Sequence, residues 1–323
     1  MRRILILGKI PPPVGGVTIH VLRLQQALTN RGFHDYDFLD LGKTSYTVLV
    51  REVLSHPVIH LHTSNAYFQM LIAFLCLFSK KKLIITYHGN LGRYNAMKNM
   101  MVLFTCRICY IPIVLNEESL AIAMRHNSRT IKISSYIAPH QNNPVDAEIG
   151  LTLSQYQQQF EYIFCTNASN LSWDKNGQEI YGISQLVQKF TTIPEALLII
   201  SDPSQKYWQH IQASRTIPPN VQFFFQDHIF AGILHHSHAF IRNTTTDGDS
   251  ISIHEALNAG LVVFASNVVP RPPECLVYEN VFDLDLVKSL HSQKNRQRIP
   301  AMTTQSTTKS IEDILKLYYK CLN

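Results

Sequence analysis

Residues 242–266, RNTTTDGDSISIHEALNAGLVVFAS, join the end of one strand to an acidic glycine loop, a helix and a second strand. The apolar run at 261–265 predicts the second strand, and Ser252 followed three residues later by Glu255 predicts the start of the helix. Strand, helix and strand in this order are the repeating unit of a parallel sheet wound with helices. Ligands of such sheets bind at the carboxyl ends of strands, so residues 246–250 form the first candidate site.

The same alternation of apolar runs and amphipathic stretches continues on both sides of this segment. Further strand-like runs lie at 4–7, 58–62, 83–87, 111–115, 162–166, 196–201, 221–225 and 239–242. Helical stretches are predicted at 18–31, 177–190, 253–259 and 309–322. A polar stretch with two prolines at 137–150 is the best linker. We therefore expect an α/β protein with two doubly wound, Rossmann-like domains at 1–143 and 144–305, followed by a C-terminal helix at 306–323.

Length and composition indicate a globular chain of enzyme size. A chain of 323 residues, 46% of them hydrophobic, can bury the cores of about two domains. The apolar run at 4–7 is too short for the core of a signal peptide, and the apolar patch at 67–78 falls short of the roughly 20 residues of a spanning helix. We expect a cytoplasmic protein whose six cysteines are reduced thiols.

Two short patterns suggest metal or redox chemistry, and both are incomplete in the sequence. Cys106 and Cys109 form a C-x-x-C, which is typical of a redox pair or of half a zinc site. No second cysteine pair matches them, and on a helix they simply share a face. His60 and His62 alternate along one predicted strand, but no H-E-x-x-H motif or cysteine partner joins them. The sequence therefore predicts no metal site.

The formal charge of +6 permits an anionic partner. The candidates are a nucleotide diphosphate, an anionic membrane surface and a nucleic acid. The charge alone does not choose among them. The sequence contains no recognised nucleic-acid reading module and no interleaving of aromatic residues with arginines, so we expect no nucleic-acid partner.

Two loops that follow predicted strands in the first half carry candidate binding residues. In residues 11–16, PPPVGG, the paired glycines Gly15 and Gly16 let backbone N–H groups approach a phosphate at a helix start. Their spacing matches neither the dinucleotide fingerprint nor the P-loop, and a tight turn without a ligand is the alternative. His88 ends another strand, where a neutral imidazole either hydrogen-bonds a sugar hydroxyl or stabilises the strand end.

The acidic loop at 246–250 also has two interpretations. A capped helix with an acidic first turn accounts for it structurally. A sugar site accounts for it equally, because carboxylates accept paired hydrogen bonds from vicinal hydroxyls. Asp247 and Asp249 further form a D-x-D, a metal-binding pattern, but the pattern recurs at 35–37 and 283–285 and so carries little information.

The order of these motifs resembles the retaining family 4 glycosyltransferases of the GT-B fold. The resemblance rests on residues 11–16 with His20 shortly after, on residues 87–89 (YHG), and on residues 247–260 followed by a strand. It covers nearly the whole chain. It implies an acceptor-binding domain at 1–143 and a nucleotide-sugar-binding domain at 144–305 that face a cleft, and a final helix that crosses back to the first domain.

The resemblance also implies roles for individual residues. Asp247 would contact the donor sugar and Glu255 the ribose, while His88 would face the transferred sugar. Family members carry a phosphate-binding arginine where this chain has Ala168-Ser169-Asn170, so Lys175 is the retained cation and Arg242 or Arg271 the substitute. The implied catalytic residues are His88, Asp247 and Lys175. The implied donor-binding residues are Gly15, Gly16, Lys175, Arg242, Asp247, Gly248, Asp249, Ser250 and Glu255, and the implied acceptor-binding residues are His20 and Asn90.

The implied activity is metal-independent hexosyl transfer with retention, from a UDP- or GDP-sugar to a saccharide in cell-surface polysaccharide, O-antigen or lipopolysaccharide synthesis, without a cofactor. The apolar patch at 67–78, followed by three lysines at 80–82, predicts peripheral contact with the cytoplasmic face of the inner membrane and a lipid-linked acceptor. A buried helix with a solvated lysine turn is the alternative. For the function, a non-catalytic sugar-nucleotide-binding or partner subunit of the same fold and a sugar-nucleotide epimerase stay open.

Overall fold

The structure, a computed structural model, describes residues 3–139, 147–225, 228, 230–294 and 304–323. The chain forms two compact units. The first contains Met1–His140, Asp247–Ser250 and Thr304–Asn323, and the second contains Gln141–Thr246 and Ile251–Thr303. The domain boundary predicted between residues 143 and 144 lies outside the described residues.

The first unit is built on a six-stranded parallel sheet of order β2-β1-β3-β4-β5-β6. Strands β1 and β3 are buried along their whole length, as expected when helices cover both faces of a sheet. The elements are β1 (Ile4–Gly8), α1 (Gly16–Asn30), β2 (Tyr36–Asp40), α2 (Tyr46–Ser55), β3 (Val58–His62), α3 (Ala66–Phe78), β4 (Lys82–Thr86), α4 (Ala96–Ile108), β5 (Ile111–Val114), α5 (Glu117–Met124) and β6 (Ile131–Lys132).

The second unit has its own six-stranded parallel sheet, of order β12-β11-β10-β7-β8-β9. The central strands β7, β8 and β10 are again continuous apolar runs with helices on both faces. The elements are α6 (Ala147–Gln159), β7 (Tyr162–Asn167), α7 (Ile183–Phe190), β8 (Ala196–Ser201), α8 (Lys206–Gln212), β9 (Val221–Phe224), α9 (Phe230–His235), β10 (Ala239–Arg242), α10 (Ile251–Asn258), β11 (Val262–Ser266), β12 (Leu276–Tyr278), a 3-10 turn (Val281–Asp283) and α11 (Leu286–Lys294).

The last helix, α12 (Thr304–Leu322), belongs to the core of the first unit. Its buried stripe of Ile311, Ile314 and Tyr318 packs in one cluster with Ile4 and Ile84 of the sheet. Because this stripe recurs every three or four residues, it places one apolar face of the helix on the strands. The end of the chain therefore completes a core that its beginning started.

These elements confirm the predicted α/β class and the nine predicted strands, within a residue or so at their ends. The predicted helix at 177–190 is wrong over its first six residues, because the helix begins only at Ile183. Gly182 before it has a left-handed φ of 54°, and the preceding segment folds into a loop with a Trp173–Glu179 bridge. Helix α10 also begins one residue before the predicted Ser252.

The acidic loop Asp247–Ser250 was predicted in the second domain, and in the structure it belongs to the first unit. Two hydrogen bonds show why: the Ser135 backbone N–H donates to the Asp249 carboxylate (3.0 Å), and the Ser135 hydroxyl donates to the Asp249 carbonyl (2.6 Å). Among the described residues, no helix is both long enough and apolar enough to cross a bilayer.

Candidate functional site

The first sheet reverses its winding direction between β1 and β3, the switch point at which parallel sheets bind ligands. The carboxyl ends of β1, β3 and β4 lie side by side there. Three histidines meet at this edge. His20 comes from α1, His62 is the last residue of β3, and His88 lies two residues beyond β4.

The three imidazoles of His20, His62 and His88 form a nearly equilateral triangle. Their ring centroids lie 5.1 to 5.4 Å apart. His62 Nδ1 lies 3.1 Å from His88 Nε2, and one nitrogen from each ring can be chosen so that all three lie within 4.8 Å of one another. The sequence had singled out His20 and His88 for sugar contacts and His60 with His62 as an incomplete metal pair, so the triangle combines members of both groups.

Burial is the main cause of the low pKa values of the histidines in this cluster. It lowers the pKa of His20 to about 4 and that of neighbouring His60 to about 3, and it lowers the pKa of His62 and His88 well below the usual value. Repulsion between the protonated forms of neighbouring rings lowers the pKa values of His60, His62 and His88 further. All four imidazoles are therefore neutral at pH 7 and can donate or accept hydrogen bonds without carrying charge.

In the glycine loop before α1, no side chain caps the first backbone N–H groups of the helix. Gly15 is the N-cap residue, with an extended backbone and without a side chain to occupy the first N–H groups of the helix. At Gly16 a Cβ atom would meet no other atom within 4 Å. The Thr18 hydroxyl donates to the carbonyls of Pro13 and Gly15, which fixes the loop against the first turn. The arrangement suits an anionic group at the N-terminus of α1.

The acidic loop and Asn90 are tied into the first unit by hydrogen bonds. Asp247 is buried and accepts from the Gly248 backbone N–H (3.1 Å), whereas the Asp249 carboxylate accepts from Ser134 and Ser135. A Cβ at Gly248 would lie 3.1 Å from the His88 carbonyl oxygen, so the loop passes close to the turn after β4. The Asn90 side chain accepts from Asn116 and donates to Glu118 (3.5 Å).

The second sheet reverses its winding direction between β7 and β10, and the predicted donor residues of the second unit belong to the segments that end or follow these two strands. Lys175 is exposed in the loop that follows β7, where the Asp174 carboxylate accepts from the N–H groups of Asn176 and Gln178. Arg242 ends β10 with its guanidinium 5.0 Å from the centre of the Tyr181 ring. Glu255 lies on α10, the helix that follows.

Arg271 is held at the same edge of the second sheet. Its Nε donates to the Ser266 carbonyl (2.9 Å) and one of its terminal nitrogens donates to the Thr244 hydroxyl (3.1 Å). Ser266 ends β11 and Thr244 lies just beyond β10, so these bonds fix a guanidinium at the carboxyl ends of two adjacent strands. Such a cation stabilises a diphosphate.

Some residues of the site were missing from the sequence prediction. His62 was considered only with His60, although it ends one predicted strand and His88 directly follows the next one. Ser134 and Ser135 follow β6, a strand of two residues that gives no apolar run. Ser252 was predicted as a helix cap, but its hydroxyl accepts from the Asn167 side chain (2.7 Å).

No family model matches the chain, and a search of the curated proteins finds no match. Solved structures do match over the whole length. Anabaena HepE in complex with UDP superposes with a TM-score of 0.68 at 13% identity, covering 99% of both chains. WaaG, a glycosyltransferase involved in lipopolysaccharide biosynthesis, gives 0.67 at 13% identity and covers 98% of this chain and 99% of its own. The fold is that of the GT-B glycosyltransferases.

Sucrose-phosphate synthase from Thermosynechococcus elongatus shares this fold too, with a TM-score of 0.63 at 14% identity over 99% of this chain and 96% of its own. The predicted GT-B fold is thereby confirmed. At these identities the similarity establishes the architecture of the chain alone.

Proposed function

We propose that this protein is a retaining, metal-independent glycosyltransferase that uses a UDP- or GDP-sugar as donor. One observation carries the proposal: in a GT-B fold, the predicted donor residues Lys175, Arg242 and Glu255 belong to the segments that end or follow β7 and β10, the strands between which the second sheet reverses its winding direction. The solved structures of Anabaena HepE, with UDP and with UDP-glucose, support a nucleotide-sugar as the ligand of this fold.

In the proposed mechanism the second unit binds the nucleotide and stabilises the leaving group. Glu255 accepts hydrogen bonds from the ribose hydroxyls. Lys175 and Arg271 face the diphosphate, and their positive charge stabilises the negative charge that develops as the bond to the sugar breaks. Arg271 takes the place of the missing arginine at residues 168–170, because its guanidinium is already held in position by backbone and hydroxyl acceptors.

The first unit contributes the residues that position the sugars. The family resemblance implies that the N–H groups at Gly15 and Gly16 would bind the diphosphate and that Asp247 would accept from the donor sugar. His88 is neutral because burial lowers its pKa, so it hydrogen-bonds a sugar hydroxyl without adding charge to the electron-deficient sugar. His20 and Asn90 orient the acceptor. Positioning and electrostatic stabilisation then supply the acceleration, and the reaction uses no protein nucleophile.

We further propose that the acceptor is a lipid-linked saccharide of cell-surface polysaccharide, O-antigen or lipopolysaccharide synthesis, used at the cytoplasmic face of the inner membrane. Helix α3 supports this, because only one of its faces is buried. The other face exposes apolar side chains at helical spacing, and neighbouring α4 extends the surface. The exposed side chains include Tyr67, Leu71, Phe74 and Phe78 on α3 and Met97 and Met100 on α4.

The charge at the edge of this surface suits an anionic bilayer. Lys80 is exposed at the end of α3 and Lys81 is half-buried beside it. Lys82 differs from the sequence expectation of three solvated lysines, since its ammonium donates to the Cys321 carbonyl (2.9 Å). An apolar stripe next to lysines is the composition of a helix that lies in a membrane interface.

The test begins with the nucleotide. Purified protein is melted with UDP, GDP, ADP and CMP, and we expect UDP or GDP to raise the melting temperature. Incubation with the matching sugar nucleotides should then release nucleotide when an acceptor is added. Glu255→Ala should weaken donor binding by about 10- to 100-fold, because a charged hydrogen bond is lost. The control is Glu195→Ala, which removes an exposed carboxylate just before β8, at the opposite edge of the sheet.

Three results would redirect the proposal. No binding of any sugar nucleotide excludes the transferase. Binding without turnover across a panel of saccharide and lipid-linked acceptors favours a non-catalytic subunit of the same fold. Conversion of the donor sugar without release of the nucleotide favours an epimerase.

A further inference from the structure

We propose that His20, His62 and His88 form a binding site for a divalent transition-metal ion of the Zn²⁺ class. The three side chains belong to the first unit and reach the switch point of its sheet from α1, β3 and the loop after β4. Their potential ligand nitrogens lie within 4.8 Å of one another. Imidazole is a preferred ligand of Zn²⁺, Cu²⁺ and Ni²⁺, and three protein ligands with one open position are a common arrangement for zinc.

The hydrogen bonds of His20 determine which of its nitrogens is available. Its Nδ1 lies 2.7 Å from the Ser135 carbonyl oxygen, which can only accept, so Nδ1 carries the proton. In the neutral ring Nε2 then presents a lone pair. This Nε2 atom is buried and has no hydrogen-bond partner among the described residues. A metal-bound histidine characteristically donates its other N–H to a backbone carbonyl, which is the arrangement already present here.

His62 shows the same unused capacity. Its Nδ1 is paired with His88 Nε2 at 3.1 Å, so one of these nitrogens donates and the other accepts. Its Nε2 is buried and, within the described part of the chain, also lacks a partner. A buried polar atom without a partner costs about 1 to 3 kcal/mol. Two such atoms on neighbouring rings are therefore expensive unless something binds them.

Neighbouring His60 shows that the fold can satisfy a buried imidazole when no ligand is required. Its Nδ1 pairs with the Tyr318 hydroxyl (2.6 Å) and its Nε2 with the Thr86 hydroxyl (2.8 Å). His60 is as buried as His62 and belongs to the same strand. The two residues therefore differ in their partners: within the described residues both nitrogens of His60 are hydrogen-bonded, whereas Nε2 of His62 is not.

The geometry requires only a small adjustment to accept an ion. Zn²⁺ bound at about 2.0 to 2.1 Å in a tetrahedron places its ligand nitrogens about 3.4 Å apart. Ring rotations of His62 and His88 bring the nitrogens from the present spacing to that value, with the bond between them exchanged for bonds to the ion. One of the two nitrogens in the His62–His88 hydrogen bond carries a proton, so binding the ion through both nitrogens requires that this proton move to the other nitrogen of its ring.

This site goes beyond the proposed sugar transfer and does not depend on it. Transfer as proposed uses no metal, whereas an ion on His88 occupies the ring that is proposed to face the sugar. A bound ion is therefore expected to inhibit transfer and a chelator to restore it. Metal binding is measured on the protein alone, so the failure of one proposal leaves the other standing.

The test uses protein that has been stripped with a chelator and dialysed. Titration with Zn²⁺ against a chromophoric competitor should show one tight site per chain, and Co²⁺ should give the visible absorption of a four- or five-coordinate nitrogen site. His62→Ala should weaken Zn²⁺ binding by at least about 100-fold, since even the loss of an outer partner of a ligand costs 10- to 100-fold. His126→Ala, which removes an exposed histidine of the same unit, should bind like the wild type.

A second measurement keeps the proposal testable if His62→Ala does not fold. Crystals of the wild-type protein soaked in Zn²⁺ should show anomalous scattering at the zinc edge between the three rings. The absence of stoichiometric binding, or an ion bound elsewhere with His62→Ala unimpaired, would overturn the proposal.

Discussion

Cys165 lies in the middle of β7 and is completely buried, and burial raises the pKa of its thiol from 9.0 to about 12. The unfolded chain therefore releases this proton above pH 9, whereas the folded chain keeps it until about pH 12. Since the folded state binds the extra proton, the free energy of unfolding falls as the pH rises through this range. From pH 8 to pH 10 this one group should cost about 1.4 kcal/mol.

Urea unfolding of wild type and Cys165→Ala under reducing conditions checks this at both pH values. The variant is expected to lose about 1.4 kcal/mol less than the wild type between pH 8 and pH 10. Cys165→Ala also leaves a cavity that lowers the free energy of unfolding at both pH values. This cost cancels when only the change between pH 8 and pH 10 is compared. An equal loss in both proteins would show that Cys165 titrates normally.

At the scale of residues, the sequence indicates which side chains belong to a site better than it indicates which hydrogen-bond partners they have. His88 was recognisable because it follows a predicted strand and precedes Gly89, and His20 because it comes shortly after Gly15 and Gly16 in the order of motifs on which the resemblance rests. His62 and His60 look alike in the sequence, since both alternate with apolar residues. What separates them is Tyr318, whose hydroxyl satisfies His60 from a part of the chain more than 250 residues away. No local pattern carries that information.

At the scale of elements, two glycines in the segment between β7 and the start of α7, Gly177 and Gly182, can be compared directly. Both have a left-handed φ, of 54° and 76°. A Cβ at Gly182 would lie 2.6 Å from the Asn243 carbonyl oxygen, whereas a Cβ at Gly177 would meet nothing within 4 Å. Gly177→Ala should therefore cost about 1 to 2 kcal/mol for the backbone alone. Gly182→Ala should cost about 1 to 3 kcal/mol more, for the clash.

Chemical denaturation of the two variants measures this difference. Equal costs would mean that Asn243 moves away freely. We expect resistance instead, because the Asn243 side chain donates to the Gly182 carbonyl (3.1 Å) and accepts from the buried Tyr278 hydroxyl (2.9 Å).

The exposed stripe of α3 gives a second prediction about an element. Wild-type protein should sediment with vesicles that contain phosphatidylglycerol and much less with phosphatidylcholine alone. The double variant Leu71→Glu/Phe78→Glu should reduce this binding by at least about 10-fold, because it removes two apolar side chains from the stripe. Phe78 is 81% exposed, so its replacement should leave the fold intact. Leu151→Glu, at an equally exposed position of the second unit, should bind as well as the wild type.

Eight of the nine predicted strands lie inside a sheet, where both faces are buried and the sequence is mostly apolar; the ninth, β9, is an edge strand that its phenylalanines made recognisable. Strand β2 at the edge was missed, since its residues Tyr36–Asp40 are all half-buried and alternate with aspartates. Helix α7 was predicted too long for a different reason. The residues before it are polar and compatible with a helix, and the left-handed Gly182 that precedes the helix accepts a hydrogen bond from Asn243, the residue after β10.

At the scale of the molecule, helix α12 should stabilise the first unit and leave the second unchanged. Tyr318 is completely buried there, while its neighbour Tyr319 is 54% exposed. Tyr318→Ala should destabilise the first unit by about 3 to 5 kcal/mol, and Tyr319→Ala should cost about 1 kcal/mol or less. Hydrogen exchange measured by mass spectrometry should show faster exchange in β1, β3 and β4 of Tyr318→Ala. Equal acceleration in β7 and β8 would contradict this assignment.

The composition of the first unit also has a consequence for biosynthesis. Residues 304–323 leave the ribosome only after the whole second unit has been made, which takes on the order of 10 s at ordinary translation rates. During that interval the buried stripe of α12 does not yet exist, so the apolar surface around Ile4 and Ile84 stays uncovered and the Nδ1 of His60 lacks the Tyr318 hydroxyl. We therefore expect the second unit to fold as it emerges, and the first unit to keep this surface exposed, and so open to chaperone binding, until α12 has been made.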